Sequence, residues 1–175
     1  MNNIVLIGMK NSGKSTLARS IATHHKMNLA VIDDAIESLH EKTHHERLSV
    51  REINKQYGRE YFFSLETQVI RDLLKTTRTV IDCSGSAPLR EENRQLLKQL
   101  GPSVWLRVEP TRNYERLIKN GIPSFFKYPD DPKRSFDELW KEREPIYAAF
   151  ADRIIDAIDE TPEQLLERVE EMHIV

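Results

Sequence analysis

The chain has 175 residues, enough for one domain that buries roughly two-thirds of its unfolded surface without disulfide or metal staples. Charged residues make up 31% of it, but 26 lysines and arginines against 28 aspartates and glutamates leave a net charge of −2, which argues against a nucleic-acid binder or a polybasic membrane-surface protein. One cysteine, Cys83, rules out a disulfide framework and a Cys-based zinc site; the longest apolar run, residues 4–9, cannot span a bilayer, and no basic-then-apolar leader is present, so a cytoplasmic protein with no membrane partner is expected.

Residues 3–8 are a run of branched side chains closed by glycine, the pattern of a strand buried on both faces. Residues 14–26 read as a helix, and 29–33 as a second short buried strand. Helical patterns follow at 35–46, at 49–57, where Ser49 and Glu52 form a capping box, and at 60–76, with Phe62, Leu65, Val69 and Leu73 at helical spacing. Thr79–Asp82 is a third strand. The helix at 89–100 stops at Gly101-Pro102. A fourth strand at 104–108 precedes a helix at 111–120. Residues 121–134 carry three prolines and no period, and are expected to form a mobile loop. Ser135 with Glu138 restarts a helix to about residue 150. Residues 153–156 form a fifth strand, and Thr161, Pro162 and Gln164 open the last helix. Strands alternating with long helices predict a parallel sheet covered on both faces, an α/β/α sandwich whose ligands bind beyond the carboxyl ends of the strands. Those ends are Gly8, Asp33, Asp82 and Val108.

Gly8-Met9-Lys10-Asn11-Ser12-Gly13-Lys14-Ser15-Thr16 fits the phosphate-loop pattern, and it stands where the mechanism requires, between a buried strand and a helix. The amides of Asn11, Ser12, Gly13, Lys14, Ser15 and Thr16 would cradle phosphates, Lys14 would reach the β- and γ-phosphates of ATP, and the Ser15 hydroxyl would ligate Mg²⁺. Asp82 either holds Mg²⁺ from the end of its strand or caps the next turn. Asp33 either orients and deprotonates an acceptor hydroxyl or caps the following helix, with Asp34 as the other candidate cap. Arg143, late in a helix, suits an anionic group, although spacing alone favours a solvated arginine. Five histidines, His24, His25, His40, His44 and His45, read as solvated helix residues, with a weak metal site at His40 and His44 as the alternative. Cys83 reads as a small buried filler, Trp105 as strand core, and Trp140 as packing or as a wall of the acceptor pocket.

Taken together, the phosphate loop, Ile32-Asp33-x-x-Ile36-Glu37, Gly58-x-x-x-Phe62-x-x-x-Glu66, Ser84-Gly85-Ser86, Arg143-x-Pro145-x-Tyr147 and Pro162 resemble the shikimate kinase family of phosphate-loop kinases. The resemblance runs from Ile4 to about Val169 and implies one kinase domain over 1–175. Within it, residues 35–66 would be the acceptor-binding region and 121–134 a lid over the phosphates. It implies that Asp33 binds the acceptor's hydroxyls and acts as base, that Gly85 and Arg143 bind the acceptor, and that Arg116 and Pro162 sandwich adenine. ATP and Mg²⁺ are the implied cofactors, a small-molecule acceptor the implied partner, and a monomer or weak homodimer the expected state.

The chain departs from the family at Val31, where a first aspartate is usual, at Phe63, where an arginine binds the acceptor's carboxylate, and at Ile122, near the lid's usual arginine. Losing a bidentate arginine costs roughly 1.5–3 kcal/mol, at least tenfold in carboxylate binding. Phe63 would offer an anion only an apolar face. These departures point to an acceptor other than shikimate, with a nucleotide-binding regulatory module as the alternative; Lys127, Lys133 and Arg134 are the candidate replacements for the lid cation.

Overall fold

The computed structural model describes residues 3–119, 121–158 and 160–174. Its five strands are β1 (Ile4–Ile7), β2 (Asn28–Val31), β3 (Thr79–Asp82), β4 (Ser103–Val108) and β5 (Arg153–Ala157). They form one sheet in the order β2-β3-β1-β4-β5, every neighbouring pair parallel. The helices are α1 (Lys14–His24), α2 (Ile32–His44), α3 (Val50–Tyr57), α4 (Arg59–Leu73), α5 (Glu91–Leu100), α6 (Pro110–Ile118), α7 (Pro132–Phe150) and α8 (Pro162–Glu171), with a 3₁₀ turn at Ala87–Leu89. The three-layer α/β fold expected from the alternation is the one observed.

The two-residue period of the strands sorts side chains into two apolar layers. Ile4, Leu6, Val80, Val104, Leu106 and Ile155 face one layer with Leu17 and Ile21 of α1 and Leu165 and Val169 of α8. Val5, Ile7, Ile81 and Trp105 face the other, with α2 to α7. Trp105 is buried as expected, its ring edge-on to Tyr147 at 5.7 Å, a pairing worth about 1 kcal/mol beyond the area it buries. The same period puts Asp82 on the α1 side of the sheet with Val80. Register fixes its height: Asp82 lies between Leu6 of β1 and Val31 of β2.

Three boundaries differ from the sequence reading. β2 is an edge strand with Leu29 exposed, not a strand buried on both faces. It ends at Val31, because Ile32, Ile36 and His40 form the buried stripe of α2 and draw Ile32 into the helix. Neither Asp33 nor Asp34 therefore ends a strand or caps a helix: the cap residue is Val31, and both carboxylates sit in the first turn, where the helix dipole favours them. α7 starts at Pro132, capped by Asp131, whose side chain accepts from the Arg134 N–H. Ser135 instead is buried, and its hydroxyl bonds both the N–H and the C=O of Tyr128. The expected capping boxes at Ser49–Glu52 and Thr161–Gln164 are present.

Candidate active site

The loop after β1 is shaped by backbone that only glycine tolerates at its first position. Gly8 has φ +148°, and a Cβ there would stand 2.7 Å from the Leu106 carbonyl of neighbouring β4. Gly13, at φ +99°, precedes α1, whose first turn has no side-chain cap and no acidic residue. An uncapped helix N-terminus keeps its N–H groups and the positive end of its dipole for an anion. Two asparagines fasten the loop to α6: Asn113 Nδ2 donates to the Lys10 carbonyl (3.1 Å) and Asn11 Nδ2 to the Arg116 carbonyl (3.2 Å). Lys14 is buried, its Nζ donating to the Met9 carbonyl at 3.0 Å. The Ser12 hydroxyl is buried without a partner, while Ser15 and Thr16 are exposed on the first turn.

Lys14, Asp33 and Asp82 come together at the carboxyl edge of β1 and β3. Burial pulls the Lys14 pKa down, against the opposing fields of Asp82 and Asp33. Burial raises Asp33, partly offset by Lys14 and reinforced by Asp82. Neither carboxylate makes a hydrogen bond or ion pair with a described residue, so both remain available to a ligand. Lys10 is exposed, yet close enough for its charge to lower Asp33.

On the far side of Asp33 the turn after β3 is held by a polar network inside the core. Glu66 of α4, fully buried, accepts from the hydroxyls of Ser84 (2.5 Å) and Ser86 (2.7 Å) and from Asn93 Nδ2 (3.0 Å). Asn93 Oδ1 in turn accepts from the Thr67 hydroxyl at 2.7 Å. The Tyr147 hydroxyl donates to the Gly85 carbonyl at 2.6 Å. Arg143, one turn before Tyr147, packs so close to Gly85 that a Cβ there would lie 3.0 Å from its Nη1. Arg143 is therefore not the solvated arginine its spacing alone suggests. It is half-buried, and its Nε is shut from solvent with no partner. Phe63 does not offer a bare apolar face either: the guanidinium groups of Arg59 and Arg90 lie 5.0 and 5.3 Å from its ring centroid. Among the described residues Arg59 makes no ion pair, and Arg90 reaches Glu60 only at 4.0 Å.

The outer parts are less tightly assembled. Arg116 is exposed on α6, and Pro162 opens α8; Arg112, one turn before Arg116, donates to the Ile158 carbonyl at 2.7 Å and so joins α6 to the β5–α8 connection. Residues 121–131 are irregular but anchored by buried Phe126. The candidate lid cations are already engaged: Lys127 and Arg134 pair with Glu138 at 3.7 and 3.2 Å, and Lys133 pairs with Asp137. Trp140 packs with its ring tilted against Trp105 and Phe136, and burial raises the Cys83 thiol well above its usual pKa, which suits a filler and not a nucleophile. Two surface grooves, of about 460 Å³ between α5 and α7 and about 240 Å³ beside β5, contain none of the site residues.

Sequence reasoning did not foresee Asn93, Asn113 or the paired arginines over Phe63, each of which acts across a long separation in sequence. Glu66 left one signal, a carboxylate within the apolar stripe of α4.

The shikimate kinase family model matches residues 10–173. The chain belongs to the shikimate kinase family. It is 36% identical over 147 residues to the shikimate kinase of Clostridium botulinum (strain 657 / Type Ba4), which covers 84% of this chain and 83% of that one. It is 31% identical over 169 residues to the shikimate kinase of Caldanaerobacter subterraneus subsp. tengcongensis, covering 97% and 94%. Among solved structures, Acinetobacter baumannii shikimate kinase in complex with shikimate superposes with a TM-score of 0.87 at 24% identity, covering 99% of this chain and 93% of that one. That of Bacteroides thetaiotaomicron gives 0.83 at 25% identity, covering 99% of both. Membership makes the protein an ATP-dependent small-molecule kinase. The family's shared name lends no support to a different acceptor, so that expectation is corrected. Among the described residues no helix is long and apolar enough to cross a membrane.

Proposed function

We propose that this family member transfers the γ-phosphoryl group of ATP to a hydroxyl of shikimate. One observation carries the reading. Lys14, Asp33 and Asp82 converge beside an uncapped helix N-terminus, while Arg143, its Nε unpartnered, stands over Gly85 at the adjoining wall. The names of the relatives, and the shikimate bound to the Acinetobacter baumannii enzyme, support the choice of acceptor.

In this reading the amides of residues 11–16 bind the ATP phosphates, and Lys14 leaves the Met9 carbonyl to meet the transferring group. Arg116 and Pro162 flank the adenine. Mg²⁺ fits the donors present: the exposed Ser15 hydroxyl and the Asp82 carboxylate, an oxygen pair with no competing protein hydrogen bond on the acid. When bound, the ion would neutralise charge on the phosphates. Asp33 accepts the proton of the attacking hydroxyl and holds it in line. Burial raises its pKa above the ordinary carboxylate value, which makes it a stronger base than a free carboxylate. Asp33 and Gly85 line the acceptor pocket, and Glu66 supports the turn that presents Gly85. Arg143 takes the acceptor's carboxylate, and Arg59 and Arg90, over Phe63, supply the cationic charge on the α4 side. Residues 35–66 form the acceptor-binding region of a single domain, and the segment from 121 to Asp131 forms the lid.

The test follows ADP release with ATP and Mg²⁺, with shikimate and with a panel of sugar acids and polyols. Shikimate-dependent ADP, abolished by Lys14→Ala, is the expected result. Turnover on another acceptor but not on shikimate overturns the assignment of acceptor, and acceptor-independent turnover overturns the pocket.

A further inference from the structure

α1 ends at His24, and His25 caps it, with the His25 N–H bonded to the Ile21 carbonyl at 3.0 Å. The turn beyond is held in place by Arg78, whose guanidinium donates to the carbonyls of His25 (3.4 Å) and Lys26 (3.3 Å). α8 lies alongside, with Leu165 and Val169 in the same apolar cluster as Leu17 and Ile21. That packing delivers Glu170 to the two imidazoles. Glu170 Oε1 is 3.0 Å from His24 Nε2 and 3.5 Å from His25 Nε2, and one ligand atom from each of the three residues lies within 4.8 Å of the other two. The rings are inclined at 67° with centroids 4.8 Å apart, so they meet edge to face instead of stacking. His25 Nε2 is shut from solvent and has no hydrogen bond.

We propose that His24, His25 and Glu170 form a binding site for a divalent transition-metal ion of the zinc, cobalt and nickel class. A tetrahedral ion with bonds of about 2.0–2.1 Å needs donors roughly 3.3 Å apart, close to the two separations already present. Two imidazole nitrogens with one carboxylate suit that class and not Mg²⁺ or Ca²⁺, which take oxygen ligands. The fourth position is open to water, because His24 is exposed. The 11 residues of α1 separate this site from the phosphate loop by about 16 Å, so it is distinct from any nucleotide-bound Mg²⁺. The ion would clip the end of α8 to the end of α1. The spacing of the histidines in the sequence concealed the site, since its acid lies about 145 residues downstream of them and on another helix.

The test titrates the full chain with Zn²⁺ by calorimetry and with Co²⁺ by visible absorption, without nucleotide. One saturable site is expected, with the intense visible bands of tetrahedral cobalt and a Zn²⁺-dependent rise in Tm. Glu170→Gln and His25→Ala should each weaken binding by about tenfold or more and remove the rise in Tm, while His44→Ala leaves both unchanged. Absence of saturable binding overturns the proposal, because it leaves only histidine–carboxylate contacts. Binding that survives Glu170→Gln but is lost in Asp82→Asn also overturns it, because the ion then occupies the phosphate site.

Discussion

At the residue scale, two acids near the phosphate loop, buried Glu66 and half-buried Asp33, differ in what surrounds them. Glu66 accepts from Ser84, Ser86 and Asn93, whereas Asp33 makes no hydrogen bond with a described residue. Glu66→Ala would take the acceptor from buried Asn93 and Ser84 and from half-buried Ser86, and a loss of about 2–4 kcal/mol in urea unfolding is expected. Asp33 has the opposite signature. Its proton leaves at a pH above the ordinary carboxylate value of 3.8, because burial outweighs the pull of Lys14. If it is the base, kcat/KM should fall as pH drops through that raised value, and Asp33→Asn should lower kcat by at least about a hundredfold and flatten the acid limb. A wild-type acid limb at the ordinary value would reject the assignment. Arg143 was legible in the sequence only as an anion-binding type of residue; its burial comes from Gly85 and Tyr147, which different elements bring to it.

At the scale of elements, the proposed reading has the α4 wall meet the acceptor's charge. The cations there are Arg59, at the first residue of α4, and Arg90, which caps α5. Both lean on the ring of Phe63, which spaces them without competing for a ligand's oxygens. Arg59→Ala and Arg90→Ala should each raise the KM for the acceptor by about tenfold, with the KM for ATP unchanged, in steady-state assays. Equal effects on both KM values would place the arginines outside the acceptor pocket. The sequence shows Phe63 but cannot show that a helix start and a distant cap converge on it. The same limit explains the misplaced boundary at Asp33. A continuous apolar run from Leu29 to Ile32 reads as strand, and only the packing of Ile32 with Ile36 assigns it to a helix.

For the whole molecule, the sheet is closed at its β5 end by one acid. Asp152, in the turn between α7 and β5, accepts from the Ser103 N–H (2.8 Å) and hydroxyl (2.7 Å) at the start of β4 and from Lys98 Nζ (2.8 Å) on α5. Burial alone would raise its pKa, but the Lys98 and Ser103 hydrogen bonds outweigh it and hold the carboxyl at about 2, against 3.8 in the free group. A depressed pKa stabilises the fold at pH above the free value, and the contribution is lost as pH falls through about 4 toward about 2. Asp152→Asn should therefore cost about 1 kcal/mol at neutral pH, modest because Lys98 is exposed, and much less near pH 2. Chemical denaturation at the two pH values checks this, and an equal loss at both would show that the charge has no part in it.

The local signals of this sequence settled what neighbouring residues decide among themselves: the phosphate loop, the capping boxes at Ser49 and Thr161, and the alternation that dictates a parallel sheet. A turn or a cap needs only a few consecutive residues, so its chemistry is written in order along the chain. Which strand lies at the edge, which acid stays unpaired, why Arg143 is half-buried and where Glu170 meets two histidines were decided by packing. Those contacts join residues tens to more than a hundred positions apart, and their energies exist only once the sheet order and the two apolar layers have brought them within reach.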